Sequence, residues 1–178
     1  PECPVDAIYD TEEDAIKIAQ TAAIDLAKAA AEVGVALEEA KEQLQIAKEQ
    51  LQIAKDTFPQ PSAIAFEVDA SDVDKLYEPT QYAALKSQTA FNLAQTKLIF
   101  AQMSEQNMEI EHAKILLINK KTVTYKESSK SLITLAFTKV KESYKQTSQY
   151  VVLATEVVKE AEEAAKAAAA IGLPQASV

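Results

Sequence analysis

The sequence has no tryptophan and no arginine, and it contains one cysteine, one histidine and two glycines. Without arginine, no guanidinium group can bind a phosphate or carboxylate through two parallel hydrogen bonds. The lone Cys3 cannot form a disulfide within the chain. We interpret it as an unpaired thiol, and the alternative is a bond to a partner or to a part of the protein outside this sequence.

The same shortages argue against catalysis. A catalytic site needs converging polar groups in a concave pocket. The chain has no glycine-rich phosphate loop, and its only cysteine, Cys3, is far along the sequence from its only histidine, His112. No nucleophile–base pair is therefore available, and we expect neither enzymatic activity nor a cofactor.

The net charge is −9 and the isoelectric point is near 4.7. Nucleic acid and anionic membrane surfaces require a positively charged partner, so we expect neither to bind. The longest run of large apolar residues, Ile115 to Ile118, is far shorter than the roughly 20 residues that span a bilayer. No signal peptide and no initiator methionine are present, so we expect targeting or anchoring segments to lie outside this sequence.

What the chain does contain is a repeat: the block EQLQIAK occurs twice in succession from Glu42 to Lys55. Apolar positions that alternate at spacings of three and four predict a long helix with coiled-coil packing. Isoleucine and leucine flank Ala47 and Ala54, and this apolar face is wide enough to contact two neighbours. We call these apolar positions the seam. In helix 1 they are Ala19, Ala23, Leu26, Ala30, Val33, Leu37, Ala40, Leu44, Ala47, Leu51, Ala54 and Phe58.

Three such helices are predicted. Helix 1 covers about 11–57, beginning with a hydroxyl and three acids and ending before two prolines. An irregular connection covers 58–79, and its clustered aspartates lack the glycine and the distal glutamate of a calcium loop. Helix 2 covers about 80–120, after Pro79. Helix 3 covers about 124–172 and opens with a capping box of Thr124 and Glu127.

These elements predict an all-α fold: an elongated, antiparallel, up-down-up three-helix bundle with coiled-coil packing and an irregular connection between helices 1 and 2. A chain of this length is typical of a single domain, and we expect that domain to comprise residues 1–178.

The seam of helix 2 contains two ionisable residues, Glu105 and His112, which we name as a candidate polar pair. A second apolar phase, with Ile99, Met103 and Ile110, predicts a shift of register near residue 103 that rotates the pair toward the edge. Glu109 and His112 form half of a di-iron carboxylate motif. Because no other histidine exists to complete the motif, we expect no metal.

In its long capped helices, its richness in alanine and glutamate, its lone cysteine near the start and its interrupting loop, the chain resembles the glutamate- and alanine-rich helical-bundle surface proteins of African trypanosomes. The resemblance implies a non-enzymatic coat protein on the extracellular cell surface. It also implies a glycolipid (GPI) anchor, attached through a C-terminal segment outside this sequence. The turn between helices 2 and 3 would then face outward, with Lys120, Lys121, Thr122 and Val123 as an exposed tip. The chain has no N-glycosylation acceptor.

Two other functions remain open. One is a receptor or adaptor that binds a protein along the bundle. The other is a lipid-associated bundle similar to the insect apolipophorins, whose amphipathic helices open onto lipid.

Overall fold

A computed structural model describes residues 12–57 and 70–172, with side chains from residue 78 onward in the second range. Helix α1 is Glu12–Thr57, α2 is Ala70–Lys120 and α3 is Glu127–Gly172, and a 3-10 turn, Lys121–Thr124, joins α2 to α3. The described residues contain no strand, and the three helices all pack against one another. The predicted all-α three-helix bundle is confirmed.

The start and end of α1 agree with the prediction. Glu12, Glu13 and Asp14 lie in its first turn and Lys55 in its last, which is the arrangement of charges that the helix dipole favours. Thr11, the predicted cap, lies outside the described residues, as do Phe58 and Cys3.

Helix α2 begins at Ala70, so the prediction of a start near Thr80 was wrong. The prediction took Pro79 as a boundary because proline has no N–H to donate within a helix and its ring crowds the preceding turn. Pro79 instead lies inside the helix, at an exposed position. Of the predicted connection, 58–69 lies outside the described residues.

The start of α3 also differs from the prediction, because Thr124 ends the 3-10 turn and the helix begins at Glu127. The predicted capping box is replaced by a contact from α1. The Glu12 carboxylate accepts hydrogen bonds from the Lys126 N–H at 3.3 and 3.4 Å and from the Ser129 hydroxyl at 2.8 Å. A negative charge at this position suits the positive end of the α3 dipole.

The contacts divide the chain into two compact units, each built from a part of all three helices. Among the described residues, unit 1 comprises 12–35 and 100–152, and unit 2 comprises 36–99 and 153–172. In unit 1, α1 contributes small residues and the other helices contribute larger ones. The core residues of unit 1 are Ala15, Ala19, Ala22, Ala23, Leu26, Ala30, Met108, Ile115, Ile118, Ile133, Ala136 and Val140.

The core of unit 2 is dominated by alanine, which allows the helix backbones to approach closely. Ser87 of α2 is fully buried in it and donates a hydrogen bond to the Ala47 carbonyl oxygen of α1 at 3.0 Å. Gly172 of α3 lies so close to α2 that a Cβ atom there would overlap the Thr80 carbonyl.

The predicted seams are largely confirmed. Every seam position of helix 1 up to Leu44 is buried, as are Ala47 and Ala54, whereas Leu51 is half-buried. In α2 the predicted change of register does not occur. Met108 and Ile115 are buried, and they continue the spacing of the seam that includes Glu105 and His112. Met103 and Ile110, of the second apolar phase, are 59% and 56% exposed.

Candidate functional site

One polar side chain of unit 1, His112, lies on the α2 seam near the C-terminal end of the helix, which ends at Lys120. Its ring lies between two aromatic rings of α3, seven residues apart in sequence, that stack on it from either side. The centroids of Phe137 and Tyr144 are each 5.5 Å from that of His112, with interplanar angles of 25° and 27°. Because the register does not shift, His112 keeps its seam position, where it is half-buried beside these two rings.

The Nε2 atom of His112 is buried and has no hydrogen-bond partner. A buried imidazole nitrogen without a hydrogen-bond partner forfeits its hydration, whichever form of the ring is present. The histidine therefore serves here as a flat ring that fills the space between two aromatic side chains.

Tyr144 links this ring to the acidic side of α2. Burial, and then the charges of Glu109 and Glu105, raise the pKa of the Tyr144 hydroxyl above its ordinary value of 10.0, while a hydrogen bond with Ser148 acts in the opposite direction. A phenolate would lose hydration and face two carboxylates, so the neutral phenol is favoured.

Glu105 and His112, the predicted polar pair, are therefore linked through Tyr144, with which each of them interacts. His112 contacts its ring, and Glu105, which is half-buried, acts on its hydroxyl electrostatically. The part played by Tyr144 was missed because it comes from α3, and nothing in the sequence of α2 points to it.

This arrangement offers no set of metal ligands. Among the described residues, no group of three histidine, cysteine, aspartate or glutamate side chains could hold a metal ion.

The predicted exposed tip is partly wrong. Lys120, Lys121 and Val123 are exposed, Val123 to 78%, but Thr122 is buried. The 3-10 turn directs its hydroxyl inward, where it donates a hydrogen bond to the Asn119 carbonyl oxygen at 2.7 Å. The exposed part of the tip thus consists of two lysines and one valine.

Each unit also has an open surface groove that the sequence did not predict. In unit 1, a groove of about 410 Å³ lies between α1 and α3, lined by Ile24, Leu132, Leu135 and Lys139 among others. In unit 2, a groove of about 420 Å³ lies between α1 and α2, lined by Ile46, Tyr82, Leu85 and Leu93 among others.

None of the helices in the described parts of the chain is long and apolar enough to cross a membrane. Searches against protein-family models, curated proteins and solved structures find no match to this chain.

Proposed function

We propose that this chain is the helical-bundle part of a non-enzymatic protein of the extracellular cell surface, where it serves as a structural coat element. The observation that carries the proposal is the seam itself. Its alanine, leucine and valine side chains are buried against the neighbouring helices within each unit. Opening the bundle, or enclosing a ligand within it, would remove these seam side chains from the packed environment in which they are already buried.

The polar residues of the core support the same proposal. His112 and Thr147 each place a buried polar atom in the core without a hydrogen-bond partner, and Ser87 uses its hydroxyl to join two helices. In each unit these groups serve the packing of the helices, as a structural bundle requires.

On this proposal a lipid attached to a C-terminal segment, outside this sequence, holds the protein at the membrane. The direct test is mass spectrometry of the C-terminal peptide of the native protein, extracted from its source cells. A glycolipid on that peptide is the expected result. A free carboxyl terminus on protein recovered from a soluble fraction would overturn the anchored coat.

A second candidate is a protein-binding receptor or adaptor, which the open grooves favour. If a partner binds at the candidate polar pair of Glu105 and His112, Glu105→Ala should weaken its affinity, with Glu38→Ala, a substitution at an exposed α1 position, as the control. Equal affinities for both variants would dismiss that site.

The apolipophorin-like alternative predicts that the protein clears phospholipid vesicles. The coat proposal predicts unchanged vesicle turbidity, because the seam residues of the helices are already buried against one another within each unit. Clearance of the vesicles would favour the lipid-associated bundle over the coat.

A further inference from the structure

The groove of unit 2 exposes a row of large apolar side chains on both of its helices. Ile46 of α1 is 39% exposed, and Tyr82, Leu85 and Leu93 of α2 are 60%, 51% and 46% exposed. Along α1 the groove residues are Gln43, Ile46 and Gln50, with Ile53 next in the row and 45% exposed. Their spacings of three and four are those of a seam that another helix can cover.

The two sides of this groove differ in charge. Between Glu78 and Glu105, helix α2 contains no aspartate or glutamate, although the chain as a whole is strongly acidic. On the α1 side, Glu42 and Glu49 are exposed beside the apolar row. A partner that brings acid to the α2 side and neutral or basic groups to the α1 side would be complementary to both.

Lys86 is the positive group of the α2 side. It lines the groove, and its ammonium lies 4.4 Å from the centroid of the Tyr82 ring. It forms no ion pair with any residue that the structure describes, whereas Lys97 on the same helix pairs with Glu39 of α1. The groove therefore contains one cation that is available to a carboxylate from outside.

Within unit 2, two contacts fix the position of α1 relative to α2 along the helix axis, and we call the position of a residue along this axis its height. Ser87 is bonded to Ala47, and Lys97 to Glu39, so the helices run antiparallel. In this register Glu49 lies at the height of Lys86, and Ile53 lies at the height of Tyr82.

We propose that this groove binds a second copy of the chain, with α1 of each copy lying against α2 of the other. A two-fold axis parallel to the helices produces this arrangement without changing any heights. Glu49 of the second copy then faces Lys86, and its Ile53 faces Tyr82. Each contact is made twice. A two-fold axis perpendicular to the helices would instead place α1 against α1 and bring Glu42 and Glu49 of the two copies together, which like-charge repulsion disfavours.

The association should be weak. The groove residues of α1 cover about 15 Å of helix, so each copy buries well below the roughly 800 Å² per partner that is typical of a stable interface. We therefore expect a dimer that depends on concentration and on salt. The inference stands whether or not the chain belongs to a cell surface, so the failure of one proposal leaves the other intact.

The test is sedimentation velocity of the purified chain over a concentration series from micromolar to millimolar, at low salt. The wild type should pass from monomer to dimer. Lys86→Glu and Glu49→Lys should each weaken the dimer at least about tenfold, because each places like charges opposite one another. The double variant, which exchanges the two charges, should restore the association.

Two substitutions at exposed positions away from the groove serve as matched controls. Lys139→Glu and Glu156→Lys make the same charge changes and should leave the dimer unaffected. Circular dichroism melting of every variant verifies that it is folded. A wild type that stays monomeric throughout the series overturns the proposal, as do single variants that match their controls or a double variant that fails to restore the dimer.

Discussion

At the scale of the residue, unit 1 contains a buried hydroxyl that has no hydrogen-bond partner among the residues that the structure describes. Thr147 of α3 is fully buried, and its Oγ1 atom forms no hydrogen bond. The desolvation of an unpaired hydroxyl costs about 1 to 3 kcal/mol. Because Thr147 is fully buried, the residue packs as a valine would while still losing its hydration.

We therefore predict that Thr147→Val raises the free energy of unfolding by about 1 kcal/mol, because a methyl group of the same shape replaces the unpaired hydroxyl. Thr138→Val is the control. The Thr138 hydroxyl is exposed and donates to the Thr134 carbonyl oxygen at 2.9 Å, and its loss should change stability by less than about 0.5 kcal/mol. Urea unfolding of the three proteins measures both effects. A Thr147→Val protein less stable than wild type would refute this assignment.

The raised pKa of Tyr144 leads us to expect that the free energy of unfolding depends on pH in the alkaline range. Its pKa is raised in the folded protein, first by burial and then by Glu109 and Glu105. The neutral phenol is thus the form that the fold favours. This contribution to stability is fully present below the unfolded pKa of about 10, and it is lost as the pH rises through the folded pKa.

We expect the free energy of unfolding of wild type to fall more steeply above about pH 10 than that of Tyr144→Phe, because the variant has no phenol at this site. The other ionisable groups titrate in both proteins, so the difference between the two curves isolates Tyr144. Parallel curves would show that Tyr144 ionises without cost.

At the scale of the element, the close approach of α3 to α2 depends on Gly172. A Cβ there would overlap the Thr80 backbone carbonyl and lie 3.0 Å from the Ala84 Cβ. Backbone atoms of a packed helix cannot move aside alone. The other glycine, Gly34 in the middle of α1, differs: its added Cβ would lie 3.2 Å from the outer edge of the Tyr150 ring. That ring is half-buried and can shift by a few tenths of an ångström.

We predict opposite effects for the same substitution at these two glycines. Gly172→Ala should destabilise the protein by about 1 to 3 kcal/mol, the usual cost of overpacking. Gly34→Ala should be stabilising by up to about 1 kcal/mol, because alanine is the better helix former. Thermal unfolding of both variants measures the contrast. Equal melting temperatures for Gly172→Ala and wild type would show that the helices are not held at this distance.

The helices and their buried faces could be predicted from the sequence because coiled-coil spacing is a local signal. The repeat around Ala47 and Ala54 sets which face of α1 is buried, and the structure agrees. Where the prediction failed, a local rule was overridden. Pro79 is tolerated on the exposed side of α2, and the start of α3 is capped by Glu12, which is 114 positions away from Lys126.

The candidate site was predictable in part for the same reason. The seam spacing identified Glu105 and His112 as polar residues within an apolar row. The competing phase then suggested that they would rotate outward, because spacing alone cannot rank two apolar rows on one helix. The aromatic rings of Phe137 and Tyr144 on α3 stack on His112. This contact between helices could not be predicted from the sequence pattern of either helix taken alone.

At the scale of the whole molecule, the account rests on helices whose seam residues are buried against one another within each unit. A protein of this kind is suited to a structural task, and the proposed coat function requires that the bundle stay closed beside lipid. The apolipophorin-like alternative requires the opposite, since its helices must exchange their contacts with one another for contacts with lipid.

Amide hydrogen exchange followed by mass spectrometry, with and without phospholipid vesicles, tests this claim most directly. Amides that are buried in closed helices exchange only when the structure opens. We predict slow exchange along the interiors of α1, α2 and α3, unchanged when vesicles are added. Exchange that rises along an entire helix in the presence of vesicles would mean that the bundle opens onto lipid, and it would contradict the account.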